Sequence, residues 1–183
     1  MDELIDIVTE KGVPIGKTAL KSVIHKEGHY HNTAHIWFYT KEGEIVLQQR
    51  AASKVIHPLL WDVSVAGHID AGETIKSGAV REIQEEIGLT IKENDLQRIG
   101  VFKCAQSYPN GIIDNEFHNT FISELKVPLS ELKCQPEEVE ALKLVSLDNF
   151  LELLSRSKTN GHFIASNFEY YNLVFNAIKA ELS

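Results

Sequence analysis

The chain has 183 residues, 43% of them hydrophobic and 24% charged, a length and balance that point to one globular domain spanning residues 1–183. Its formal net charge of −8 argues against a nucleic-acid partner gripped by a basic face, and any phosphate-bearing ligand then needs local positive charge, for which a divalent cation is the usual source. Cys104 and Cys134 make neither a disulfide framework nor a Cys-rich zinc site, the acidic start lacks the order of a signal peptide, and no apolar run approaches the roughly 18 residues that span a bilayer, so the expectation is a cytoplasmic protein with no membrane partner.

In chain order, residues 4–8 and 13–15 read as a small hairpin around Glu10-Lys11-Gly12. Residues 33–40 and 44–50 make a stronger one around Lys41-Glu42-Gly43, and residues 61–66 alternate as a half-buried strand does. Residues 74–87 have helical spacing and stop at Gly88. Strands follow at 96–103 and 116–125, then helices at 147–155 and 167–182. The pattern predicts an α+β protein, a mixed β-sheet sandwiched between helices. The apolar tail around Tyr170, Tyr171, Leu173, Val174 and Phe175 packs on this core or on a second copy, which makes a homodimer one expectation.

The chemistry concentrates in residues 67–89, GHIDAGETIKSGAVREIQEEIGL. On an ideal helix with Ile75 at 0°, Ala79, Ile83, Ile87 and Val80 fall between about 40° and 140°, a stripe that packs on the sheet. Glu82, Glu86 and Glu85 fall at about −20°, +20° and −80°, on an arc of about 100° that overlaps the edge of the stripe. Carboxylates crowded beside an apolar face repel and lose hydration. An acidic solvated edge accounts for such crowding, and so does a hard cation such as Mg2+ or Mn2+, which suits carboxylate oxygens. The glycines favour the second reading. Gly78 costs roughly 1 kcal/mol in a helix interior, and Gly67 and Gly72 allow a tight loop ahead of the helix.

This segment resembles the Nudix box, matching it at Gly67, Glu73, Arg81, Glu82, Glu85, Glu86 and Gly88 with Ile83 and Leu89 aliphatic. The resemblance implies a Nudix fold in which Glu82, Glu85 and Glu86, helped by the Gly67 carbonyl, ligate Mg2+ or Mn2+. It implies that Glu73 and Arg81 brace the loop and helix, and that the substrate is a small-molecule diphosphate.

Residues 4–116 also resemble isopentenyl-diphosphate isomerases, which share the Nudix fold. The match runs through His25, His31, Trp61, Gly67-His68 and the stretch Asn110-Gly111-Ile112-Ile113-Asp114-Asn115-Glu116. This likeness implies a Zn2+ or Mn2+ site at His25, His31, His68, Asp114 and Glu116, with Asp114 where the isomerases carry glutamate. It also makes Glu116 a catalytic candidate beside Glu82, Glu85 and Glu86. The isomerases place a catalytic cysteine just before the Gly-His pair, and Ala66 stands there in this chain. Alanine moves no proton, and the box, degraded in the isomerases, is intact here. The expectation is therefore metal-dependent hydrolysis of a diphosphate linkage in a nucleoside diphosphate derivative or related small diphosphate. The alternatives are isopentenyl-diphosphate isomerisation and a non-catalytic ligand-binding module. Arg50, Lys54 and Lys103 are candidates for holding substrate phosphates, and Cys104 reads as a small core residue.

Overall fold

The computed structural model describes residues 2–157 and 168–183. The chain opens with β1 (Leu4–Val8) and β2 (Pro14–Leu20), an antiparallel pair, followed by α1 (Lys21–Glu27). Then come β3 (His31–Tyr39), β4 (Glu44–Arg50), β5 (Trp61–Asp62), β6 (Val65–His68) and α2 (Ile75–Ile87). The remainder is β7 (Gln97–Ser107), β8 (Ile113–Glu124), β9 (Val139–Ser146), α3 (Leu147–Ser155) and α4 (Phe168–Glu181).

The main sheet runs β5-β4-β3-β8-β7, with β6 also paired to β3 and β9 to β4. Its pairs are antiparallel except β3 with β8, which run parallel, so the sheet is mixed as expected. Strand β3 shows why both faces are covered. Ile36 and Phe38 point to one side, where they pack with Ala79, Ile83 and Ile87 of α2. Trp37 and Tyr39 point to the other, where Phe150, Leu154, Tyr170, Tyr171, Val174 and Ile178 from α3 and α4 lie over them. The apolar tail is thus packed on the core of its own chain, and Leu173 is its exposed member.

Several elements depart from the sequence reading. Strand β2 runs on to Leu20, well past residue 15. The strand expected at 61–66 is two short ones on different partners, because β3 and β4 pair at Tyr39 and Ile45 and then splay. Ser64 sits in the gap, its hydroxyl donating to the Val46 carbonyl at 2.6 Å and accepting from the Phe38 N–H at 2.9 Å. Helix α1 and strand β9 carry no signal that pattern reading detects. Helix α1 buries Ile24 alone, and β9 has apolar residues facing both layers, Leu142 and Leu144 on one side and Val145 on the other. Residue 167, the start expected for the last helix, lies outside the described residues.

Two elements set up the site. Helix α2 starts on Thr74, whose hydroxyl accepts from the Ser77 N–H, and ends at Gly88 in the left-handed region. Gly78 explains itself by packing: a Cβ there would lie 2.7 Å from Ile69 Cδ1 and 3.0 Å from Glu73 Oε2. The β1–β2–α1 unit has its own small core of Ile5, Ile7 and Ile24, and it docks through backbone bridges from Ile5 to Asp70 and from Val8 to Tyr30. That docking brings His25 over the sheet.

Candidate active site

Glu82 and Glu86 lie on the buried edge of α2 and Glu85 one step outward, half exposed. Gly67 faces them so closely that a Cβ built on it would sit inside the Glu82 carboxyl. Burial outweighs the neighbouring Arg81 and pushes the Glu82 carboxyl up to about 7. Burial, reinforced by Glu82, pushes Glu86 up to about 8 even though Gln48 Nε2 donates to it at 3.0 Å. Both carboxyls therefore bind a proton more tightly than a free glutamate does, because negative charge is crowded and poorly hydrated there. Arg81 ties the loop to the helix. It donates to Glu73, to Glu82 Oε1 at 2.9 Å, to Glu85 Oε2 at 2.9 Å and to the His68 carbonyl at 2.8 Å. Burial opposes its charge, but the Glu73 and Glu82 carboxylates raise its pKa further. Glu73 in turn accepts from the Asp70 N–H, which fixes the loop.

The histidines assemble a second group of donors. Helix α1 supplies His25, β3 supplies His31, β6 supplies His68, and β8 supplies Asp114 and Glu116. A ring nitrogen of His25, His31 and His68 and an oxygen of Glu116 all fall within 4.8 Å of one another. The individual gaps are 3.4 Å between His25 Nε2 and His68 Nε2, 3.5 Å from His31 Nε2 to Glu116 Oε1, 3.7 Å from His68 Nε2 to the same oxygen, and 3.5 Å from His25 Nε2 to Asp114 Oδ1. These are long for hydrogen bonds, and they match the separation of about 3.4 Å between ligands that stand about 2.1 Å from a tetrahedral ion. The tautomers agree. His25 Nδ1 lies 2.8 Å from the Lys21 carbonyl and His31 Nδ1 lies 3.0 Å from the His29 carbonyl. Each Nδ1–H donates to that carbonyl, which leaves the Nε2 lone pair facing inward. His31 Nε2 and Asp114 Oδ1 are buried without hydrogen-bond partners.

Both groups border one cavity of about 670 Å3. Arg50 and Lys54 line it, Arg50 with Asp62 3.5 Å away and Lys54 paired to Glu138. Lys103 does not join them. It faces outward from β7, where it holds Glu10 at 2.9 Å and covers the Tyr30 ring, because strand alternation gives the inward positions to Cys104 and Gln106. Cys104 is accordingly a half-buried wall residue beside His118, which corrects its reading as a core residue. Pattern reading also missed Lys21, Gln48, Tyr108 and His118. They are single polar residues on separate elements, and His118 alone offered a signal, standing two residues from Glu116 on one strand face.

Residues 29–166 match the family model of the NUDIX domain, three-quarters of the chain. The chain belongs to the Nudix family. Among its relatives, a Nudix hydrolase of Clostridium acetobutylicum, named as uncharacterized, is 35% identical over 165 residues, 88% of this chain and 78% of that protein. An isopentenyl-diphosphate Delta-isomerase of Photorhabdus laumondii is 32% identical over 86% of this chain and 85% of its own length. Nudix hydrolase 3 of Arabidopsis thaliana is 32% identical over 85% of this chain, which spans only 21% of that longer protein. The fold is shared with a Deinococcus radiodurans protein of known crystal structure, with a TM-score of 0.66 at 20% identity over 86% of this chain and 90% of that one. The Nudix fold and the isomerase-like branch of the family thus stand together in one chain.

Proposed function

We propose that this Nudix protein hydrolyses a diphosphate linkage in a nucleoside diphosphate derivative or a related small diphosphate, with Mg2+ or Mn2+ held by Glu82, Glu85, Glu86 and the Gly67 carbonyl. The observation that carries the reading is the contact between Gly67 and Glu82, a close approach that only a residue without a Cβ permits, beside the two buried carboxyls of Glu82 and Glu86. Such a set fits a hard divalent cation, whose charge offsets the crowding of the carboxylates. When bound, the cation supplies positive charge at a phosphoryl oxygen and acidifies a water ligand.

The chain's own residues supply the rest. Arg81 and Glu73 hold the loop and helix in register, and Gln48 orients Glu86. Arg50 and Lys54 face the cavity as partners for a phosphate. Burial raises the Glu116 carboxyl, but the hydrogen bond from His118 outweighs it and holds the group well below the ordinary carboxylate range, so Glu116 is ionised and serves as an acceptor for a water proton or as a metal ligand. His25, His31, His68, Asp114 and Glu116 make the proposed Zn2+ or Mn2+ site.

A panel of diphosphates assayed with and without Mg2+ tests the reading. Phosphate-bearing products should form only with the cation, and E86Q should lower kcat/KM at least about 100-fold, the loss of about 3 kcal/mol of metal-borne stabilisation. Turnover unchanged in E86Q overturns it. The second reading is isomerisation of isopentenyl diphosphate, which the histidine cage and the Photorhabdus relative favour. Against it, Ala66 lines the cavity with no proton to give, and Cys104 pairs directly with Glu116 across neighbouring strands instead of standing opposite it. Appearance of dimethylallyl diphosphate would select it. Tight binding of one diphosphate with no product from any of the panel would leave the ligand-binding module.

A further inference from the structure

Beyond the cage, the same sheet face continues with donors that neither the Nudix box nor the isomerase likeness accounts for. His31, Thr33 and His35 alternate along β3, and Glu116, His118 and Thr120 along β8, with His31 beside Glu116, Thr33 beside His118 and His35 beside Thr120. A ring nitrogen of His35, one of His118 and a carboxylate oxygen of Glu116 lie within 4.8 Å of one another. Glu116 divides its two oxygens. Oε1 faces His31 and His68, while Oε2 lies 2.7 Å from His118 Nε2.

Hydrogen bonding prepares His35 as a ligand. Its Nδ1 lies 2.9 Å from the Tyr170 hydroxyl oxygen, which also accepts from Trp37 Nε1 at 2.8 Å. With Nδ1 engaged by Tyr170, Nε2 is the His35 nitrogen left to face a ligand. The rings of His35 and His118 stack with centroids 3.9 Å apart, an arrangement that two imidazolium cations would not hold. Burial keeps His35 neutral. A further mark lies beside the pair: the Thr33 hydroxyl, 3% exposed, borders the cavity and has no hydrogen-bond partner. A buried hydroxyl of this kind calls for a ligand.

We propose that His35, His118 and Glu116 bind a second transition-metal ion of the zinc class, with Glu116 bridging it to the His25–His31–His68 cage. Two imidazoles and a carboxylate suit Zn2+, Mn2+ or Co2+ better than Mg2+. The ion displaces the proton that now joins His118 to Glu116. Two dications sharing one glutamate turn this end of an acidic chain net positive, a wall on which an anionic group can rest.

The inference is independent of the hydrolase reading, since its readout is bound metal and not turnover. The untagged full chain, stripped of metal and kept in excess Mg2+ to occupy the Glu82–Glu86 helix, is titrated with Co2+. Visible absorption and elemental analysis after gel filtration count the ions. Two equivalents are expected in the native protein. H118Q should retain one, H25Q the other, and E116Q should weaken both. A native chain that binds one equivalent, or an H118Q chain that keeps two, overturns the site. If the substituted chains fail to fold, the native count still decides.

Discussion

Gly67 shows how much chemistry one missing carbon permits. A methyl group there would displace the Glu82 carboxyl, and Glu82 is bonded to the same Arg81 that fixes the loop. G67A should therefore lose Mg2+ affinity at least about tenfold, the order seen when groups that orient metal ligands are disturbed, while far-ultraviolet circular dichroism stays native. Titration with Mn2+, followed by electron paramagnetic resonance, checks this, and an affinity equal to that of the native chain would refute it. Glu82, Glu85, Glu86, Glu73 and Arg81 were legible in the sequence because they repeat at helical and loop spacing within 23 residues. Their roles as ligand or brace are what the resemblance to the Nudix box implies. Gln48 and His118 were not legible, because what makes them matter is a partner on another strand.

At the scale of elements, α4 joins stability to the site. Tyr170 is buried against Trp37 and Phe102, and its hydroxyl meets His35 and Trp37. Y170F keeps the ring and removes the oxygen, leaving the buried Trp37 N–H and the half-buried His35 Nδ1 without that partner. That should destabilise the protein by about 1–3 kcal/mol per orphaned group, read as a lower midpoint in urea unfolding. A midpoint within error of the native one would show that these donors find other partners. Helix α2 was predicted almost to the residue, since its apolar stripe and its Gly88 stop agree, and in the structure Thr74 caps it. Helix α1 escaped notice because seven residues with one buried side chain carry no periodicity, yet it brings His25 to the cage. Strand β9 escaped because packing on both faces erases the alternation that marks a half-buried strand.

For the whole molecule, the charges of the site should govern stability with pH. Above the ordinary histidine value of 6.5, His35 and His68 are neutral in folded and unfolded chains alike, since their folded pKa values lie well below it. Glu82, raised to about 7, Glu86, raised to about 8, and His118, raised to about 10, then hold protons that the unfolded chain gives up. A group raised in the folded state loses its stabilising effect as pH climbs from its unfolded value through its folded one. The metal-free protein should accordingly melt at lower temperature at pH 8.5 than at pH 6.5. Excess Mg2+ should narrow the difference by replacing the protons on Glu82 and Glu86. Melting curves in EDTA and in Mg2+ across this range provide the check, and a metal-free Tm that stays level or rises contradicts it. Among the described residues no helix is long and apolar enough to cross a membrane.

What the residues determined unaided was local: the α2 helix, its acidic edge, the glycine loop and, through these, the Nudix family. Each depends on neighbours a few positions apart, and the spacing of a chain records such neighbours directly. The tertiary structure decided what depends on distant segments meeting. It set His25 from a small docked unit against His31, His68 and Glu116 of three different strands. It turned Lys103 out of the cavity and Cys104 into its wall, and it placed His35 and His118 side by side under Tyr170. Those meetings arise from strand register and from the parallel pairing of β3 with β8, which join residues some 85 positions apart, beyond the reach of any local pattern.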